Sequence, residues 1–263
     1  MEGKRIGKYA LLGGCAGIYY AFLYINPYGG KIGLSELILQ LSGNRADFPP
    51  GFYAGGLLNL MMVLLPVYVC SAYAGVELYR HYCTASVFIF SRIEKRLSWY
   101  IPCVLKILCY AILFEVTAVI TAAGISLIRH TVTMDSGSLY LCLMHILIHG
   151  LYLFILAMLV NFAAIRFGSS RSYIAVISVQ MAFTTLLLIH KDDHLLDLVK
   201  YNPMANLIIS WHIADIQVMQ NGMDLIPFAF SILYFTAIAL LISVIGAVIV
   251  RKHDLIVNDM EEL

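Results

Sequence analysis

Six stretches of this 263-residue chain are each long and apolar enough to cross a lipid bilayer, and no other feature limits its fold so tightly. A helix needs about 20 apolar residues to span a hydrocarbon layer ~30 Å thick. Read on that basis, the spans lie at about 9–26, 52–76, 101–128, 139–165, 172–190 and 226–250. None alternates apolar and polar residues as a barrel strand does. The predicted fold is therefore an all-α membrane protein, a single six-span transmembrane domain over 1–263. Composition agrees: 13% of the residues are charged, about half the roughly 25% of a soluble domain, and the mean hydropathy is +0.84.

The first run follows Lys4, Arg5 and Lys8, as the core of a secretory signal does. It is long for such a core and ends at Asn26-Pro27-Tyr28 without a small-residue cleavage pattern, so it reads as an uncleaved span. Orientation follows from Lys and Arg. With the N-terminus inside, the inner segments hold eleven of them: Lys4, Arg5, Lys8, Arg80, Arg92, Lys95, Arg96, Arg166, Arg171, Arg251 and Lys252. The outer segments hold Lys31, Arg45, Arg129, Lys191 and Lys200, and the imbalance places both termini in the cytoplasm. A formal net charge of +1, with no basic tract interleaved with aromatics, gives no sign of nucleic-acid binding. The six cysteines, Cys15, Cys70, Cys83, Cys103, Cys109 and Cys142, fall in spans or on the inner side, where they read as small packing residues rather than disulfide partners.

Charge is dense in one place only, the segment 77–100 between the second and third spans. As a helix it sets Phe90, Ile93, Leu97 and Tyr100 on one stripe and turns Arg92, Glu94, Lys95 and Arg96 away from it. Such a segment lies on anionic headgroups or serves as a handle for a soluble partner, and spacing alone leaves both open. The inner loop after the fourth span is too short for any domain.

On the outer side, Leu34, Leu37, Ile38 and Leu41 recur at helical spacing before Gly43, predicting a short helix that is either a cap or a lipid-surface element. Gly55 and Gly56 open the second span to close helix approach, and Pro66 sits in its middle. In the outer loop 191–225, Asn202 can cap a helix with Pro203 at its first position, and a stripe of Leu207, Trp211, Ala214 and Val218 carries that helix to Asn221-Gly222.

Polar residues inside spans are few. Glu115 is the carboxylate well within one, and an ionised carboxylate at mid-bilayer costs at least ~2.5–3.5 kcal/mol on insertion scales. Counting depth from the outer ends of the third and fourth spans puts Glu115 and His149 within about one turn of each other. That allows a Glu115–His149 hydrogen bond, with Gln180 of the fifth span as a further partner. The favoured reading is a structural clasp; the other is a site for substrate or protons. His145 and His149 stand one helical turn apart and can face one metal, and His190, Asp193 and His194 cluster at the outer end of the fifth span. Two ligands do not make a site, so no metal and no catalytic residue are expected. The chain also lacks GxxxxGKS/T, GxSxG and HExxH.

Six spans with both ends inside, the run Ser91-Arg92-Ile93-Glu94-Lys95-Arg96-Leu97-Ser98-Trp99-Tyr100 after the second, and Tyr201-Asn202-Pro203-Met204-Ala205-Asn206 in a helical outer loop together resemble a membrane subunit of the type 2 ATP-binding-cassette exporters. The resemblance covers nearly the whole chain. It implies that the segment after the second span is a coupling helix seated on a separate ATP-hydrolysing subunit, with Glu77, Arg80, Arg92, Glu94, Lys95 and Arg96 at that contact. It further implies that ATP and magnesium are bound by that partner, and that this chain holds no cofactor and pairs with a second, like permease in a bacterial cell membrane. The compact outer loops argue against a polysaccharide and toward export of, or self-protection from, a peptide or amphipathic small molecule. Two other classes stay open at this point: an intramembrane metal-dependent or hydrolytic enzyme, and a passive immunity or sensor protein that works without an ATPase.

Overall fold

A computed structural model describes residues 2–23, 30–43, 54–81, 96–134, 137–189, 199–213 and 226–252. Helix α1 (Glu2–Leu23) leads to a strand β1 (Gly30–Gly33) and helix α2 (Leu34–Leu41), followed by α3 (Ala54–Ala74). After α4 (Arg96–Arg129) come β2 (His130–Thr133), α5 (Ser138–Phe167) and α6 (Ser169–Ile189). A one-turn helix α7 (Pro203–Leu207), a 3-10 turn (Ile209–His212) and α8 (Phe228–Lys252) complete the chain. Helices α1, α3, α4, α5, α6 and α8 are long and apolar enough to cross a membrane, each overlapping one expected span. The chain is a multi-pass helical membrane protein.

Helix α5 is the centre. Of its most apolar window, 72% is buried, against 22–44% for the other five spanning helices. It packs on α3, α4, α6 and α8, and the short elements α2 and α7 rest on it too. Apolar side chains cover every side of it, as a helix surrounded by helices requires, and its polar His145, His149 and Asn161 are buried. The outer helices divide into two faces. Helix α8 turns Phe235, Ala239 and Ile242 inward and leaves Leu233, Leu240, Leu241, Val244 and Val248 exposed, a surface suited to acyl chains rather than water.

Among the described residues, the most extensive helix pair is α1 with α4. Gly13 and Gly17, four residues apart, put the α1 backbone directly on α4: a Cβ on Gly17 would stand 2.5 Å from the Ala118 carbonyl oxygen, and one on Gly13 would strike the Phe114 carbonyl. Small residues at this spacing let membrane helices approach without side chains between them. Helix α3 carries Pro66 in its interior, so the carbonyl of Met62, four residues back, has no intrahelical donor. The Tyr19 hydroxyl of α1 donates to that carbonyl at 2.8 Å, and Tyr20 donates to the Val63 carbonyl at 3.0 Å.

The strand pair is an addition to the expected all-α fold. β1 and β2 are parallel, with Gly30 opposite His130 and Gly33 opposite Thr133. The direction follows from the packing: α1 and α4 lie side by side, each delivers its chain to the same end of the bundle, and the two exits then run on together. Gly30, at φ +122°, occupies backbone space that a side chain disfavours.

Helix α2 is a cap and not a lipid-surface helix. Leu34, Leu37, Ile38 and Leu41 are all buried, and Ser42 closes its last turn through the Ile38 carbonyl. Helix α7 begins as expected, with the Asn202 side chain accepting from the Met204 N–H at 2.9 Å and Pro203 behind it. It ends sooner than the stripe predicted. Ile208 is extended, and the chain tightens into the 3-10 turn, whose residue Trp211 was placed on the stripe; Ala214 and Val218 lie outside the described residues. The reason is local polar chemistry. The Asn206 side-chain amide donates to the Lys200 and Asn202 carbonyls, its Oδ1 accepts from the Ser231 hydroxyl of α8, and its own carbonyl faces the His212 ring. Those bonds fasten the segment to α8 and draw the backbone out of the helical path.

Candidate functional site: a carboxylate and two histidines under a loop plug

Met204, Ala205, Leu207, Ile208 and Ile209 are at most 1% exposed, so the segment around α7 sits in the bundle like a plug. Beneath it, α4 presents Glu115 and α5 presents His145 and His149 from successive turns; the three are 2–3% exposed. One ligating atom from each lies within 4.8 Å of the other two. The imidazole rings stack with centroids 4.1 Å apart. His145 Nε2 is 3.9 Å from Glu115 Oε2, beyond a hydrogen bond.

His149 Nε2 is 3.0 Å from the Leu207 carbonyl of the plug. A carbonyl only accepts, so Nε2 carries the proton and Nδ1 keeps the lone pair. Among the described residues, Glu115 Oε1 and His145 Nδ1 have no hydrogen-bond partner. Buried polar atoms are rarely left so, because each forfeits its water without compensation.

The clasp expected between Glu115 and His149 is thus arranged differently. His149 bonds the Leu207 carbonyl of the plug, and the nearer approach to Glu115 is that of His145, one turn earlier in α5, with His149 in the same cluster. Gln180 is not part of this cluster: its Oε1 accepts from the Tyr152 hydroxyl at 3.0 Å, tying α5 to α6. His190, Asp193 and His194 lie outside the described residues.

At the N-terminal end of the bundle stands a second polar group. Glu77 accepts from Arg5 Nη1 at 2.7 Å through Oε1 and from the Tyr9 hydroxyl at 2.7 Å through Oε2. Arg5 Nη2 also meets His81 at 3.0 Å, and Tyr9 stacks on Tyr110 with centroids 4.6 Å apart. Nearby, Asn161 of α5 accepts from the Tyr79 N–H at 3.0 Å and donates to the Ala74 carbonyl at 3.0 Å, fixing the end of α3. Arg80 is exposed. Arg92, Glu94 and Lys95 lie outside the described residues; Arg96 opens α4, five residues before the span was expected to start, and reaches the Val250 carbonyl of α8 at 3.5 Å. The roles of Tyr9 and Tyr19 are not legible in the sequence, because a tyrosine in an apolar run carries no sign of which distant carbonyl or carboxylate it meets.

Near the plug, His212 stacks on Phe228 and faces two carbonyls, Ile226 at 2.7 Å and Asn206 at 3.2 Å. Burial holds its pKa below the ordinary histidine value, outweighing the two carbonyls that pull it up. The free cysteines Cys15, Cys70, Cys103, Cys109 and Cys142 form no disulfide among the described residues.

No protein-family model matches the chain, and no curated protein or solved structure is significantly similar to it.

Proposed function

We propose that this chain is the membrane subunit of a transport system of the type 2 ATP-binding-cassette exporter class, drawing its energy from a separate ATP-hydrolysing subunit. The cargo class is a peptide or amphipathic small molecule, and the assembly holds a second, like permease. The observation that carries the reading is the anchorage of the charged segment 77–100 at both of its ends. At one end Glu77 is bonded to Arg5 and Tyr9 of α1; at the other Arg96 reaches Val250 of α8, and the Tyr100 hydroxyl donates to the Ser243 carbonyl of α8 at 2.8 Å. A partner that pushes this segment would move the first and sixth spanning helices together, which is what coupling ATP hydrolysis to a membrane pathway requires. The capped helix at Pro203, in the loop between the fifth and sixth spans, also supports the resemblance on which this reading rests.

The test is copurification of the full chain with the ATPase of its own system, followed by charge reversal at Arg92 and Arg96. The expected result is loss of the complex and of substrate-stimulated ATP hydrolysis. A doubly reversed protein that copurifies and stimulates hydrolysis as the unaltered chain does would overturn the assignment of this contact. A native mass spectrum in lipid-like detergent with a single permease copy would overturn the paired assembly.

A further inference from the structure

We propose that Glu115, His145 and His149 form a binding site for one divalent transition-metal ion of the zinc class, joining α4 to α5 directly beneath the plug. Two imidazoles and a carboxylate are a donor set that such ions take, with a further position left for water or another ligand. All three residues are nine-tenths or more buried and gathered within 4.8 Å, although they come from two helices. Zinc bonds of about 2.0–2.2 Å place tetrahedral donors about 3.4 Å apart, so binding draws the ligand atoms in by about 1–1.5 Å and turns the two stacked imidazoles until their lone pairs converge.

Two features distinguish this cluster from histidines that merely fill space. Glu115 Oε1 and His145 Nδ1 are buried without partners among the described residues, and a cation in the cluster would give the carboxylate the partner it lacks and take one nitrogen of the His145 ring. His149 Nε2 is bonded to a backbone carbonyl, the kind of partner that orients metal-ligating histidines, and this leaves Nδ1 as the nitrogen a cation would take. The partner carbonyl belongs to Leu207, so the ion would also fix the plug: holding the His149 ring holds the bond that seats α7. Sequence spacing showed two ligands on one helix. The third comes from the neighbouring helix, visible only once α4 and α5 are packed.

The experiment uses the untagged full chain in lipid nanodiscs, stripped with chelator and titrated with Zn²⁺ and, separately, Co²⁺. The expected result is one ion per chain, a cobalt ligand-field spectrum of four-coordinate nitrogen and oxygen type, and a higher thermal midpoint with Zn²⁺. Glu115→Gln and His149→Gln, the latter keeping a donor for Leu207, should each weaken binding by at least about tenfold. Binding of equal strength in these variants would overturn the proposal. So would absence of the cobalt spectrum in the unaltered chain, a result that stands even if a variant fails to fold. The measurement needs no ATPase, so its failure leaves the transport reading standing, and the converse holds.

Discussion

A single hydroxyl repairs a break in α3. Proline at 66 removes the N–H that would have met the Met62 carbonyl, and Tyr19 donates there from the neighbouring helix at 2.8 Å. Replacing Tyr19 by Phe is expected to cost about 0.6–1.5 kcal/mol, the range for one interhelical hydrogen bond in a membrane bundle. Pro66→Ala restores an N–H for that carbonyl, so in its background Tyr19→Phe should cost clearly less. Thermal or denaturant unfolding of the four proteins checks this, and equal costs in both backgrounds would show that the hydroxyl does not serve the proline. At the same scale, depth counting brought Glu115 and His149 into one cluster but did not find His145, which approaches the carboxylate at 3.9 Å. One turn of helix separates His145 from His149, and nothing in the apolar pattern told that a loop dips in to take His149 through Leu207. The glycine spacing at Gly13 and Gly17, in contrast, was present in the sequence to be read.

Elements here are joined by shape where the chain is apolar and by polar locks where it is not. Gly17→Val should push α1 from α4 and destabilise the protein by about 1–3 kcal/mol, the usual cost of overpacking. Gly14→Ala, whose added carbon would meet only the Thr121 hydroxyl oxygen at 3.9 Å, should leave stability nearly unchanged. If the two substitutions destabilise alike, the close approach of α1 and α4 is wrong. The plug carries a pH signature of its own. The folded protein holds His212 neutral more strongly than the unfolded chain does, so the unfolded state binds more protons below about pH 6.5. Stability from this group is complete above that value and declines as the pH falls. Thermal midpoints at mildly acidic and neutral pH should therefore differ less in His212→Asn than in the unaltered chain. The start of α7 was legible because Asn202-Pro203 is a local capping signal. Its end was not, because Asn206, Ser231 and His212 converge from separate parts of the chain. The strands were hidden for a related reason: four residues are too few for alternation to register, and their pairing depends on which helices precede them.

At the scale of the whole molecule, six helices were readable because bilayer thickness sets their length, whatever their partners. Their arrangement was not, since an apolar run says little about its neighbour. The Arg5–Glu77 pair offers a direct check on that arrangement. Glu77→Arg should weaken assembly by placing like charges together, and the exchange Arg5→Glu with Glu77→Arg should recover it. Yield of folded protein, measured by size-exclusion in detergent, reads the outcome; no recovery in the exchanged protein would place the two residues apart. The pairing of α1 with α4 also bears on how the chain is made. Gly13 and Gly17 match a helix encoded about 100 residues later, and at roughly 5–20 residues per second their partner takes on the order of 5–20 s to be synthesised. During that interval the first helix has left the ribosome without the surface it was shaped for, and the parallel strands that lock the two exits cannot yet form. The N-terminal helix is therefore without its principal partner until the third span arrives to claim it.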